Sequence, residues 1–111
     1  MRFAELRARG IADVLGEVHR RMAGRPVYLC WDMDFFDPAF APGVCAPTPG
    51  GASSEEGLAI IDALAGLDIV AVDVNTVSPP HDPGGVTAML AARVLFACMV
   101  LQCRRLRAHA T

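Results

Sequence analysis

Apolar residues recur at helical spacing in three parts of the chain. They form one face of residues 3–22, which predicts a helix there, with Gly10 as the point where it can break. Residues 53–65 form a second predicted helix, because Ser53 and Glu56 fit a capping box at its start. A third helix is predicted over residues 86–107, and its first four turns are almost free of charge.

Two short apolar runs, residues 27–31 and 69–74, predict strands that are buried on both faces, as in a parallel sheet. A helix lies between them, so we expect the two strands to be parallel. Two parallel strands do not make a stable sheet on their own, and the last helix is apolar nearly all round. We therefore expect an α/β fold, namely a partial three-layer α/β/α sandwich with an incomplete sheet. The whole chain, 1–111, would then be one segment of a larger domain.

Composition and charge limit the kinds of partner that the chain is expected to bind. The chain is 53% hydrophobic and 20% charged, which excludes intrinsic disorder. A net charge of -2 gives no basic surface for nucleic acid. The longest apolar run, residues 94–101, is shorter than the roughly 20 residues of a bilayer helix, so no membrane span is expected. The first residues alternate charged with apolar side chains and lack a signal sequence, so we expect a cytoplasmic protein.

The four cysteines do not predict a metal or redox site. No pair of them has the Cys-x-x-Cys spacing that such sites use. We expect small buried thiols instead. The residues concerned are Cys30, Cys45, Cys98 and Cys103.

Two acidic residues follow the first predicted strand. On an extended backbone Asp32 and Asp34 would project to the same side, at the sheet edge where ligand sites gather. Neighbouring carboxylates repel each other unless a cation lies between them, and Mg²⁺, Mn²⁺ or Ca²⁺ suits oxygen ligands. The alternative is that each aspartate caps a turn at the strand end. The spacing alone leaves both interpretations open.

The order of short motifs resembles the ureohydrolase family of arginases and agmatinases. The matching segments are Asp-x-Asp-x-x-Asp-Pro at 32–38, Ala-Pro-Gly at 41–43, Pro47, Gly-Gly at 50–51, Glu56, Asp73-Val74, Val77-Ser78-Pro79, Asp82 and Thr87-Ala88. This resemblance extends over nearly the whole chain. It indicates the carboxyl-terminal part of the family's α/β/α sandwich.

The resemblance also implies a chemistry. Ureohydrolases use two manganese ions, or nickel in some members, to activate a water that attacks a guanidinium carbon and releases urea. By this resemblance Asp32 and Asp34 are metal ligands, and Asp37 shapes the loop through turn hydrogen bonds. No catalytic residue is assigned within the chain. The implied partners are a small guanidino substrate and either further copies of the chain or a missing amino-terminal half.

The chain departs from the family pattern in three places. It lacks the Gly-Gly-Asp-His and Asp-x-His-x-Asp segments that carry the family's other ligands. By the resemblance Thr76 is the substrate-binding residue, but it stands where arginases and agmatinases have a Glu, and a threonine cannot supply the bidentate acceptor that a guanidinium prefers. Gly-Val-Cys-Ala-Pro at 43–47 replaces Gly-Thr-Gly-Thr-Pro. These changes favour a different guanidino compound, with guanidine itself as a weaker alternative.

We expect supporting roles for two further residues, Asp73 and His81, and two other functions stay open. Asp73 is expected to be buried and to shape the loop, and His81 is either a proton shuttle oriented by Asp82 or a structural residue. One alternative function is a non-catalytic remnant or assembly segment. The other is a small Ca²⁺-binding module built from Asp32, Asp34 and Asp37.

Overall fold

The computed structural model describes residues 2–110, apart from the side chain of His109. Every predicted helix and strand is present, except that Gly10, with φ 86°, divides the first helix in two because glycine adopts this backbone easily. The elements are α1 (Phe3–Arg9), α2 (Ile11–Met22), β1 (Pro26–Asp32), α3 (Ser54–Ala63), β2 (Asp68–Asn75) and α4 (Val86–Ala110). Three one-turn 3₁₀ helices lie at Met33–Phe35, Pro79–His81 and Pro83–Gly85.

The two strands pair in parallel, as predicted for strands joined through a helix. The register runs from Pro26 opposite Asp68 to Asp32 opposite Asn75. It is interrupted by an irregularity between Val27 and Tyr28. Because the strands are parallel, their carboxyl ends, and the loops that follow them, meet at the same edge of the sheet.

The core lies between the inner row of β1 side chains and the helices. Phe36, Met33 and Ile61 are fully buried there. Trp31, Phe35 and Phe36 form edge-to-face and tilted ring pairs at centroid distances of 5.4 to 5.9 Å. Helix α4 packs on both α3 and β2, with Val94 at the centre of its buried face. The start of the first loop is thus anchored in the core.

The expectation that both strand faces are buried was wrong. Side chains of β1 alternate between exposed and covered positions, and Tyr28 is 61% exposed. Val70 of β2 is 49% exposed. The cysteines also differ from expectation, since Cys98 is buried but Cys30, Cys45 and Cys103 are exposed. Within residues 2–110, nothing covers the row of β1 side chains that includes Tyr28.

Helix α4 has an apolar outer face. Met89, Phe96, Met99 and Leu106 on it are each between 57% and 67% exposed. The segment Pro83–Ala108 has the length of a membrane-crossing helix, and an 18-residue window within it has a mean hydropathy of 1.9. The length of the uninterrupted apolar run did not predict such a helix, because Arg93 interrupts the run without making the helix polar. Core helices have the same composition, so the absence of a membrane partner stays a prediction.

Candidate functional site

Two loops lie at the carboxyl edge of the sheet and are joined by backbone hydrogen bonds. The first loop is residues 33–53 and the second loop is residues 76–85. The amide of Cys45 donates to the carbonyl of Thr76 at 3.0 Å, and the amide of Ser78 donates to the carbonyl of Gly43 at 2.7 Å. Val44 and Val77 form an antiparallel bridge between these contacts. The two loops therefore form one connected layer over the strand ends.

Asp32 and Asp34 reach this edge by different routes. Asp32 is the last residue of β1 and is exposed, whereas Asp34 is half-buried in the 3₁₀ turn Met33–Phe35. The extended backbone that was expected to carry both aspartates therefore ends at Asp32. Both residues nevertheless line one groove of about 560 Å³ beside β1. The rest of its lining is almost entirely apolar, including Leu29 and Trp31.

Neither carboxylate has a partner among the described residues. In the described part of the chain no hydrogen bond or ion pair engages the carboxylate of either residue, and Asp32 does not cap the 3₁₀ turn with its side chain. The turn-capping alternative therefore does not describe these side chains. Unengaged carboxylate oxygens are ligands that hard divalent cations prefer.

The aspartate pair fits part of a metal site and not a whole one. Apart from the undescribed His109 side chain and the two terminal residues, no three His, Cys, Asp or Glu side chains are grouped so that they could hold a metal. A metal held by two carboxylates alone would keep many waters. The remaining ligands of a tight site must come from outside residues 2–110.

Thr76 is the first residue of the second loop and contacts Asp34. Its hydroxyl oxygen accepts a hydrogen bond from the amide of Asp34 at 3.2 Å. Its φ is 66°, and no other non-glycine residue in the described range has a positive φ. Sequence reasoning placed Thr76 near the substrate but gave no sign of this contact or of the unusual backbone.

Asp37 folds the first loop back on itself. Its carboxylate accepts hydrogen bonds from the amides of Ala39 at 2.9 Å and Gly50 at 2.8 Å. These two bonds hold the pKa of Asp37 below its ordinary value. A Cβ on Gly51 would lie 2.6 Å from the amide nitrogen of Asp37, so only glycine fits this close approach. Each oxygen of the Asp37 carboxylate thus accepts one amide hydrogen bond that folds the first loop.

Asp73 is half-buried, although its position in an apolar run predicted full burial. Its carboxylate accepts a hydrogen bond from the side-chain amide of Asn75 at 2.9 Å. The same amide lies 3.2 Å from the sulfur of Cys30, which is opposite Asp73 in the sheet register. Asp73 is only partly covered because its strand face has no further layer within residues 2–110.

The idea that Asp82 orients His81 is not what the structure shows. The Nδ1 atom of His81 lies 2.8 Å from the hydroxyl of Ser78, and His81 is exposed. The carboxylate of Asp82 instead accepts from the amides of Thr87 and Ala88 at 2.8 and 2.9 Å. Burial raises the pKa of Asp82, but these bonds lower it more. The free amides at the start of α4 thus bind this carboxylate.

Two contacts that sequence reasoning missed hold the loops in place. Thr87 is fully buried, and its hydroxyl accepts from the amide of Gly43 at 2.8 Å. Arg7 of α1 pairs with Glu56 of α3 at 2.9 and 3.1 Å, and it also donates to the carbonyl of Gly51 at 3.4 Å. A pair of charged residues 49 positions apart carries no local sequence signal, so only the fold could reveal it.

Comparison with known proteins identifies the family of the chain. Residues 1–101 match the arginase family, and the chain belongs to that family. It is 41% identical over 88 residues to the mitochondrial guanidino acid hydrolase of Homo sapiens, covering 79% of this chain and 25% of that protein. It is also 41% identical over 99 residues to the guanidinopropionase of Pseudomonas aeruginosa, covering 89% and 30% of the two chains.

Solved structures show the same fold. A hypothetical agmatinase from Burkholderia thailandensis superimposes with a TM-score of 0.82 at 40% identity, covering 96% of this chain and 33% of that one. Proclavaminate amidino hydrolase from Streptomyces clavuligerus gives 0.85 at 37% identity, covering 88% and 34%. The chain thus spans a quarter to a third of the length of these relatives. The predicted family and the partial arginase-like α/β fold are confirmed.

Proposed function

We propose that this chain supplies part of the active centre of a hydrolase that releases urea from a small guanidino compound. The observation that carries the proposal is the pair of unengaged carboxylates, Asp32 and Asp34, in one groove at the carboxyl edge of an arginase-family sheet. A buried or capping role would have occupied these oxygens with backbone amides, as happens at Asp37 and Asp82.

Asp32 and Asp34 are the residues that would hold divalent metal, with Mn²⁺ as the expected ion and Ni²⁺ as the alternative. When bound, such ions supply positive charge that acidifies water. The chain's own contribution is to hold the two carboxylates at a fixed edge, with the first loop folded by Asp37 and joined to the second. The other ligands would come from a further polypeptide segment or from another chain.

The substrate is proposed to be a guanidino compound other than arginine or agmatine. The similar proteins above are named for guanidino acids, guanidinopropionate and agmatine, which supports the substrate class. Thr76 offers no carboxylate to a guanidinium group, and its hydroxyl already accepts from Asp34. Guanidine itself is the weaker alternative.

A graft tests the proposal. The 111 residues of this chain replace the matched third of the hypothetical agmatinase from Burkholderia thailandensis, and urea release is measured with Mn²⁺ on a panel of guanidino compounds. We expect release from at least one compound. Asp32→Asn should lower it by about 100-fold or more, since removing even a partner of a metal ligand costs about 10- to 100-fold. Asp62→Asn, at an exposed position in α3, is the matched control and should leave release unchanged.

The competing function is a non-catalytic assembly segment. It would be favoured by a graft that folds and binds Mn²⁺ but releases no urea from any compound on the panel. The same result would remove the hydrolase proposal.

A further inference from the structure

Thr76 combines two features that rarely occur together. It is β-branched, and its φ of 66° is a left-handed backbone conformation that side chains branched at Cβ strongly disfavour. It also lies between the last residue of β2, Asn75, and the bridge residue Val77. A strained residue at this point persists only if its surroundings hold it there.

Two hydrogen bonds from the first loop hold Thr76. Its carbonyl accepts from the amide of Cys45 at 3.0 Å, and its hydroxyl accepts from the amide of Asp34 at 3.2 Å. The amide of Asp34 lies in the first turn of the 3₁₀ helix Met33–Phe35, where backbone amides have no partner within the helix. The hydroxyl of Thr76 therefore supplies an acceptor that the turn itself cannot provide.

We propose that Thr76 is a positioning residue for Asp34: its hydroxyl caps the Asp34 amide and thereby holds the Asp34 carboxylate in the groove beside Asp32. The left-handed backbone of Thr76 is what brings the hydroxyl under the turn. This differs from the expectation that Thr76 contacts substrate. The link to metal binding rests on the proposed function, whereas the link to Asp34 does not.

The proposed role depends on the hydroxyl oxygen of Thr76. Three variants of Thr76 therefore separate the effect of the hydroxyl from the effect of the backbone conformation. Thr76→Ser keeps the hydroxyl. Thr76→Val keeps the shape and the β-branch but removes the hydroxyl, and Thr76→Gly removes both the hydroxyl and the backbone strain. If Thr76 served only the path of the loop, Gly would be tolerated best and Ser would have no advantage over Val.

Amide hydrogen exchange on the ¹⁵N-labelled chain measures the hydrogen bond between the Asp34 amide and the Thr76 hydroxyl directly. The protection of the Asp34 amide is divided by that of Leu29 in β1, so that a change in global stability cancels. We expect Thr76→Ser to keep this ratio within about 3-fold, and Thr76→Val and Thr76→Gly each to lower it about 10-fold. An unchanged ratio in Thr76→Gly, or equal loss in Ser and Gly variants, would overturn the proposal.

Manganese affinity measures whether the hydroxyl of Thr76 affects metal binding by Asp34. Free Mn²⁺ is followed by electron paramagnetic resonance in the graft described above. Thr76→Gly should weaken binding about 10-fold, and Thr76→Ser should restore it, as for other groups that orient a metal ligand. Equal affinity in all variants would show that the hydroxyl does not position the carboxylate. A graft that releases no urea would remove the proposed function while leaving the exchange result to decide the role of Thr76.

Discussion

Glu56 connects three parts of the molecule through one carboxylate. It accepts two hydrogen bonds from Arg7 of α1 and one from the amide of Ser53, where it completes the capping box of α3. The hydrogen bonds from Arg7, followed by the one from Ser53, lower its pKa from 4.5 to about 2. The capping box was evident in the sequence, but the partner in α1 was not.

The low pKa of Glu56 predicts a defined loss of stability in acid. Because the folded pKa lies below the unfolded value, the ionised carboxylate stabilises the fold above pH 4.5, and this stability is lost as the pH falls towards about 2. We expect Glu56→Gln to lower the free energy of unfolding at neutral pH by about 1 kcal/mol and to flatten its dependence on pH in this window. Urea unfolding at a series of pH values measures both effects.

Glu55→Gln is the control for that experiment. Glu55 is the neighbouring exposed carboxylate in the first turn of the same helix. We expect the Glu55→Gln variant to keep the pH dependence of the free energy of unfolding that the parent chain shows. Identical pH profiles for the Glu55 and Glu56 variants would contradict the role given to the pair with Arg7.

The helices and strands themselves were largely predictable, because each carries its own signals. Helix α3 begins at a capping box, Gly10 breaks the first helix, and both strands are apolar runs. The 3₁₀ turn Met33–Phe35 was not predictable, since distant backbone contacts fix the chain around it. The amide of Ala52 donates to the carbonyl of Phe35 at 3.0 Å, and this contact exists only once the first loop has folded.

Two helix glycines should respond to alanine in opposite directions. A Cβ on Gly57 of α3 would lie 2.2 Å from Cε1 of Phe36, which is fully buried and cannot move away. A Cβ on Gly16 of α2 would meet only the end of Arg20, at 3.7 Å. We expect Gly57→Ala to destabilise the chain by about 2 kcal/mol and Gly16→Ala to stabilise it by up to about 1 kcal/mol. The midpoints of urea unfolding give both values, and a shift of the same sign in both variants would refute this packing argument.

At the scale of the whole molecule, apolar surface is left uncovered within the described residues. The chain spans a quarter to a third of its relatives, leaves Tyr28 and Val70 exposed on the sheet, and presents an apolar outer face on α4. The sequence predicted this incompleteness from two strands and an over-apolar last helix. The order of motifs also indicated Asp32 and Asp34 as metal ligands; the structure places both in one groove, and their role stays a proposal.

The rest of the site could not be predicted, because it depends on contacts between the loops. The backbone of Thr76 and its bond to Asp34, which is 42 positions away, arise from contacts between the two loops. Such contacts follow from the path of the chain and not from any local pattern. The residues that complete a metal site are likewise absent from the described part of the chain.

The most direct test of whether Asp32 and Asp34 are metal ligands is the number of Mn²⁺ ions bound per chain in the agmatinase graft. The graft is titrated with Mn²⁺, and electron paramagnetic resonance measures the Mn²⁺ that remains free. We expect two tightly bound Mn²⁺ ions per chain, and we expect the Mn²⁺ affinity to fall at least 10-fold when either Asp32 or Asp34 is changed to Asn. Unchanged number and affinity in both variants would contradict this expectation, because the two carboxylates would then not be metal ligands.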